Sequence, residues 1–204
     1  VRIVDKPKPP SPDFIIEYEN KSIGLEHTQI FTKDASRYFK IKTLLNYAEN
    51  IFKTKYPNTN VHSTISIKND ELDYKQNEKA ELAEIIADMV KWKIEKVEFK
   101  LPEFITNIKT TIHSKVSFSY KEFNWETIFL TKERLQKEVL KKEAKINGYK
   151  KNDKRLKEFW LVLLIGSLSS VSYELNEKTD YSIKSKFSRV YLMTDFETKI
   201  IRVS

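Results

Sequence analysis

Apolar and polar residues alternate along two short runs on either side of Glu19-Asn20-Lys21, the pattern of a β-hairpin. Period two sorts the first run into Phe14, Ile16 and Tyr18 on one face and Asp13, Ile15 and Glu17 on the other. The second run sorts into Ile23, Leu25 and His27 against Gly24, Glu26 and Thr28. Two registers are open. A turn at Glu19-Asn20 sets Phe14 opposite Leu25 and Asp13 opposite Glu26, whereas a turn at Asn20-Lys21 sets Asp13 opposite Thr28 with Glu26 one diagonal step away. Either register leaves Asp13 and Glu26 on one face and the main apolar residues on the other, and His27, with the apolar set, is expected to be a buried, hydrogen-bonded histidine.

Beyond the hairpin, Phe39, Leu44, Leu45, Ala48 and Phe52 form one helical stripe, which predicts a helix over about residues 35–54 opened by Asp34 or Ser36. Val61 to Lys68 alternates as a strand. Leu82, Ile85, Ile86, Met89 and Ile94 mark a second helix after Asn77, and Thr110 to Tyr120 reads as one β-branched strand. Thr131 is an N-cap for a third helix through Asn147, with Gly148 as its C′ residue. Phe159 to Ile165 is a continuous apolar run, short enough to suit a fully buried central strand. Two further strands are expected at Arg189 to Met193 and Lys199 to Val203.

Helices and strands thus alternate loosely, so the predicted fold class is α/β (α+β), with a central mixed β-sheet flanked by helices. At 204 residues a single domain is expected, with a proline-rich extended arm over residues 1–12 and the α/β core over residues 13–204. The chain opens on Val1 rather than Met, which suggests residues upstream. Its first residues lack the apolar stretch of a secretory signal, and the longest apolar run falls short of the roughly 20 residues of a bilayer span. No cysteine is present, which excludes disulfides and thiolate metal sites and favours a cytoplasmic setting.

The net charge of +8 favours a polyanionic partner. Between Thr131 and Glu158 eleven basic side chains face five acidic ones, so six of the eight excess charges are local to this stretch. Lys141, Lys145, Lys150, Lys151, Lys154 and Arg155 are the expected phosphate contacts. Lysine offers point charges without bidentate base readout, so such contacts would be largely independent of sequence.

Two carboxylates held across a hairpin repel unless something neutralises them. A hard divalent cation would do so, because Mg²⁺ is commonly held by one or two carboxylates together with water and substrate phosphate. Gly24, on the same face, leaves open space through which a substrate could approach. No glycine-rich phosphate loop, HExxH motif or Ser-His-Asp set supports a small-molecule enzyme.

Pro12-Asp13, twelve intervening residues, and Glu26-x-Thr28 on a strand-turn-strand followed by a helix resemble the PD-(D/E)xK nuclease superfamily. That resemblance implies a mixed sheet flanked by helices, of the restriction-endonuclease-like kind, in which the hairpin acids hold one or two Mg²⁺ ions and a lysine positions or activates the attacking water. Carried onto this chain, Asp13 and Glu26 match the metal ligands. The lysine position is occupied by Thr28, which can hold a water but carries no charge. Lys68, Lys40 and Lys42 are the candidates to replace it. The segments FWLVLLI and SKFSRVYLMTDFETKII look like the tails of uncharacterised bacterial proteins with the same PD…ExT hairpin. The implied function is metal-dependent hydrolysis of nucleic acid, DNA foremost, with Asp13, Glu26 and Thr28 as catalytic residues. The alternative is a catalytically inactive member that binds nucleic acid or protein.

Overall fold

Glu19 and Asn20 both adopt positive φ, 50° and 60°, the backbone of a two-residue type I′ turn, whose twist matches that of the strands it joins. That turn selects the first register: Tyr18 pairs with Lys21, Ile16 with Ile23 and Phe14 with Leu25. The pairing ends there, and the same register continued by one step sets Asp13 opposite Glu26. The computed structural model describes the whole chain except residues 123–125, 167–169 and 196–197.

In chain order, β1 (Arg2–Asp5), β2 (Phe14–Tyr18) and β3 (Lys21–Gln29) precede α1 (Ala35–Lys55), β4 (Val61–Ile67), α2 (Lys79–Glu95), β5 (Ile105–Ile112), β6 (Ser117–Lys121) and β7 (Ile128–Phe129). Then come α3 (Lys132–Glu143), α4 (Ile146–Asn152), β8 (Glu158–Ile165), β9 (Tyr173–Glu174), β10 (Arg189–Thr194) and β11 (Ile200–Arg202). The fold is mixed α/β, as expected. Where the sequence reading expects one compact unit, the chain divides into two: Val1–Thr32 with Thr127–Leu168 and Ser172–Ser204, and Lys33–Glu126 with Ser169–Val171.

The first unit is built on a six-stranded mixed sheet in the order β1-β2-β3-β8-β10-β11. β8 lies between β3 and β10 and runs parallel to both. A strand with two neighbours and two covered faces needs apolar residues at successive positions, which explains the unbroken run Phe159 to Ile165. Phe159, Leu161, Leu163 and Ile165 join Ile15, Val190 and Leu192 and the helix residues Leu135, Val139, Ile146 and Tyr149 in one core. Trp160, Ile16 and Ile23 form a smaller cluster from the other face, where the Arg189 guanidinium lies 4.5 Å from the Trp160 ring centre. Arg2–Asp5, within the arm expected to be extended, is extended and adds an exposed edge strand to β2.

Thr131 caps α3 as predicted, its side chain accepting the Arg134 amide at 3.2 Å. The helix does not continue to Asn147, however. It ends at Glu143, and the chain re-enters helix at Ile146, with Gly148 inside α4 rather than beyond a helix end. The break allows both Ile146 and Tyr149 to be buried at 4% exposure. A Cβ built on Gly148 meets nothing within 4 Å, so the glycine there costs backbone entropy without serving close approach. Gly148→Ala is expected to stabilise the protein by roughly 0.5–1 kcal/mol, measured as a shift in denaturant midpoint at constant m-value.

The second unit packs α1 and α2 on a three-stranded sheet in the order β5-β4-β6. Leu44, Leu45, Ala48 and Phe52 of α1 are buried with Ile86, Ala87 and Val90 of α2 and Val61, Ile65 and Ile67 of β4. Phe39, placed on the α1 stripe by periodicity, is 37% exposed. The stretch Thr110 to Tyr120, expected as one strand, is broken between Ile112 and Ser117. Its halves pair with opposite edges of β4, β5 antiparallel and β6 parallel, which requires the chain to cross over at His113-Ser114-Lys115.

Candidate functional site

Asp13 stands at the entry to β2 and Glu26 in the middle of β3. Glu26 pairs in register with Leu161, Gly24 with Phe159 and Thr28 with Leu163. The face that carries the acids is therefore the face that packs against α3 and α4. The acids do lie opposite the hairpin's apolar set of Phe14, Ile16, Ile23 and Leu25, which clusters with Trp160, but the face they share is covered by the larger core rather than left polar and open. The open space expected over Gly24 is also filled: a Cβ there would meet Phe159 Cδ1 at 2.7 Å and Pro12 Cγ at 3.0 Å.

Glu26 is only 2% exposed, a position a carboxylate occupies only with partners. Its Oε1 accepts hydrogen bonds from Lys142 Nζ at 2.9 Å and Lys145 Nζ at 3.0 Å, and its Oε2 accepts from the Tyr149 hydroxyl at 2.6 Å. The three donors follow i, i+3, i+7 spacing, so the end of α3 and the start of α4 present them on one side. Lys145 is among the phosphate contacts expected from sequence. Lys142 and Tyr149 are not among the expected site residues, although their spacing with Lys145 is readable.

Burial pushes the Glu26 carboxyl up, but the hydrogen bonds from Tyr149, Lys142 and Lys145 outweigh it and hold the group below its ordinary value of 4.5. The hydrogen bond to Glu26 raises Lys145 against the opposing effect of burial. Burial, followed by the bond to Glu26, raises the Tyr149 phenol. The lowered acid contributes stability that is complete above about pH 4.5 and is lost as pH falls through the folded-state value. The two raised groups contribute stability that is complete below about pH 10 and is lost as pH rises through theirs. Denaturant midpoints should therefore be level between about pH 5 and 9 and decline on both sides. Glu26→Gln should remove part of the acid decline, and an identical acid limb in that variant would contradict the linkage.

Asp13 turns toward β3. Its Oδ2 accepts the His27 backbone amide at 2.8 Å and lies 2.9 Å from His27 Nδ1. His27 is correspondingly half exposed at its side chain, not buried with the apolar face as expected, because its partner is at the hairpin mouth rather than in the core. Thr28 is partly exposed on the same strand. The proposed substitutes for the absent lysine lie in the second unit. There Lys40 pairs with Asp73, Lys68 with Glu103 at 3.1 Å, and the Lys42 ammonium is 5.8 Å from the Tyr38 ring centre. The lysines on Glu26 are Lys142 and Lys145.

Of the basic candidates, Lys141 pairs with Glu138 and Arg155 with Asp153, each at 2.7 Å. Lys150, Lys151 and Lys154 are exposed and enter no ion pair among the described residues. His62 shares a 2.7 Å hydrogen bond with the Ser117 hydroxyl, and its other ring nitrogen faces Thr64 and Ser119 hydroxyls at 3.3 Å. That set contains no carboxylate, so it forms no catalytic triad among the described residues.

A carboxylate offers about four lone-pair sites. Three donors on Glu26 leave one, on Oε2, and His27 engages only Oδ2 of Asp13. Two carboxylate oxygens thus retain capacity for a hard cation of the kind that completes its shell with water and phosphate. Among the described residues no group of three or more histidine, aspartate or glutamate side chains is placed to hold a metal ion, so any cation here would rest on this pair. No helix among the described residues is long and apolar enough to cross a membrane. Set against known protein families, curated proteins and solved structures, the chain matches none.

Proposed function

We propose that the first unit is a metal-dependent nuclease-like centre of the PD-(D/E)xK kind, hydrolysing phosphodiester bonds of nucleic acid, with Lys145 in the role of the lysine that Thr28 lacks. The observation that carries this reading is the pair of ammonium groups on Glu26, Lys142 at 2.9 Å and Lys145 at 3.0 Å. The hairpin register, which sets Asp13 beside Glu26, and the mixed sheet with a buried central strand support a restriction-endonuclease-like assignment.

In this reading Asp13 and Glu26 hold magnesium, which when bound supplies Lewis-acid stabilisation and a more acidic water. Tyr149 and Lys142 fix the Glu26 carboxylate in place. Lys145, with half its side chain exposed, holds the attacking water or a phosphate oxygen beside Glu26, and Thr28 hydrogen-bonds the same water from β3. Lys150, Lys151 and Lys154 offer free charges to flanking phosphates, DNA foremost and largely without regard to sequence. Magnesium-dependent nicking of plasmid DNA tests the reading. Wild type should nick, Asp13→Ala and Glu26→Ala should not, and a wild type that leaves the plasmid intact would reject it.

A second reading has its own observation: both oxygens of Glu26 already accept hydrogen bonds from the protein. The unit would then be a non-catalytic module that binds nucleic acid, with the acid cluster serving stability. Absence of nicking and of magnesium-binding heat, combined with steeply salt-dependent DNA affinity, would establish that alternative.

A further inference from the structure

The second unit carries a feature that the chemistry at Asp13 and Glu26 does not use. α2 ends in a left-handed residue, Lys96, with φ of 57°, and the chain then runs irregularly to β5. Between the helix end, this segment and β5 lies an open groove of about 930 Å³. Lys93, Lys96 and Lys100 line it, against the single acid Glu98, and Phe99 forms part of its apolar lining.

Neighbouring lysines in this unit are engaged: Lys91 pairs with Glu95 at 3.0 Å and Lys55 with Asp88 at 2.7 Å. Lys93, Lys96 and Lys100 enter no ion pair among the described residues. The C-terminal carbonyls of α2 account for a cation at Lys93, in the last turn, but the dipole effect fades within one turn and does not reach Lys100. Phe99 packs its ring 5.7 Å from that of Trp92, and Trp92 is 39% exposed. Free ammonium groups along a groove, beside an exposed indole backed by a second ring, are the combination that holds single-stranded nucleic acid: charge tracks the phosphates and the aromatic face stacks a base.

We infer that this groove binds single-stranded nucleic acid, with Lys93, Lys96 and Lys100 contacting phosphates and Trp92 stacking a base. The site is independent of hydrolysis, so it is tested with magnesium chelated, by fluorescence anisotropy of a labelled twelve-nucleotide oligo-dT on the full chain. The triple variant Lys93→Ala/Lys96→Ala/Lys100→Ala should bind about tenfold or more weakly. Its log-log salt dependence should be shallower by about 2, at roughly 0.7 for each phosphate of a single strand that is no longer neutralised. Trp92→Ala should lose on the order of tenfold, while Trp92→Phe retains most of the affinity. Circular dichroism checks that each variant remains folded. The inference is overturned if wild type does not bind, if the triple variant keeps wild-type affinity and slope, or if Trp92→Ala binds as wild type does. It is equally overturned if affinity is lost only in a Lys150→Ala/Lys151→Ala/Lys154→Ala variant, which would put the strand on the first unit.

Discussion

Glu26→Ala is expected to lower the unfolding free energy by about 3–5 kcal/mol, the cost of removing one partner from a buried ion pair. The magnitude follows from what is left behind. Lys142 has only 19% of its side chain exposed, so its ammonium loses its charge partner in a poorly hydrated place. The Tyr149 hydroxyl, on a residue that is 4% exposed, loses its acceptor, and a cavity opens between β3 and α4. Lys145 can turn to water and contributes little to the cost. The reverse deletion is therefore unequal: Lys145→Ala should cost less than about 1 kcal/mol, while Lys142→Ala should fall between the two. Chemical denaturation followed by far-ultraviolet circular dichroism distinguishes these cases. Equal effects for Lys142→Ala and Lys145→Ala would mean that burial does not set the energetics.

Several parts of this arrangement are legible in the sequence, because they are local. Glu19-Asn20 sits between alternating runs, and the turn it forms sets the register that brings Asp13 to Glu26. The run Phe159 to Ile165 announces a central strand, and Thr131 announces the start of α3. Other parts depend on contacts distant along the chain. Lys142 and Tyr149 reach Glu26 across 116 and 123 residues, and no periodicity within either segment specifies that pairing.

The break after Glu143 is hidden because Ala144-Lys145 contains no helix-breaking residue, while Gly148, the residue that looks like a stop, is accommodated inside α4. The division of Thr110 to Tyr120 is hidden for a related reason. Its β-branched residues suit strands on either edge of β4, and only the polar His113-Ser114-Lys115 marks the crossing. His27 escapes the alternation pattern because period two records which face a strand residue occupies and not how far along the sheet its partner lies. Asp13 meets it at the hairpin mouth.

A large effect on activity is also expected at Lys145. If Lys145 supplies the charge that the hairpin lacks, Lys145→Met should reduce hydrolysis by about 10²–10⁴-fold, the usual contribution of a positioned proton-transfer or water-orienting group, with the fold preserved because the side chain is half exposed. A purely structural role predicts the opposite ordering, with Lys142→Met the more damaging variant. Thr28 lies two residues beyond Glu26, on the same face and partly exposed. A lysine introduced there should reach the same space, so Thr28→Lys in the Lys145→Met background should recover part of the lost rate.

The most direct test is the single-turnover cleavage rate of a labelled DNA duplex in magnesium for wild type, Lys145→Met and Lys145→Met/Thr28→Lys. The expected result is cleavage by wild type, a loss of two orders of magnitude or more in Lys145→Met at near-wild-type stability, and partial recovery in the double variant. Cleavage by Lys145→Met at the wild-type rate would contradict the role assigned to that lysine, and no magnesium-dependent cleavage by wild type would contradict the nuclease reading as a whole.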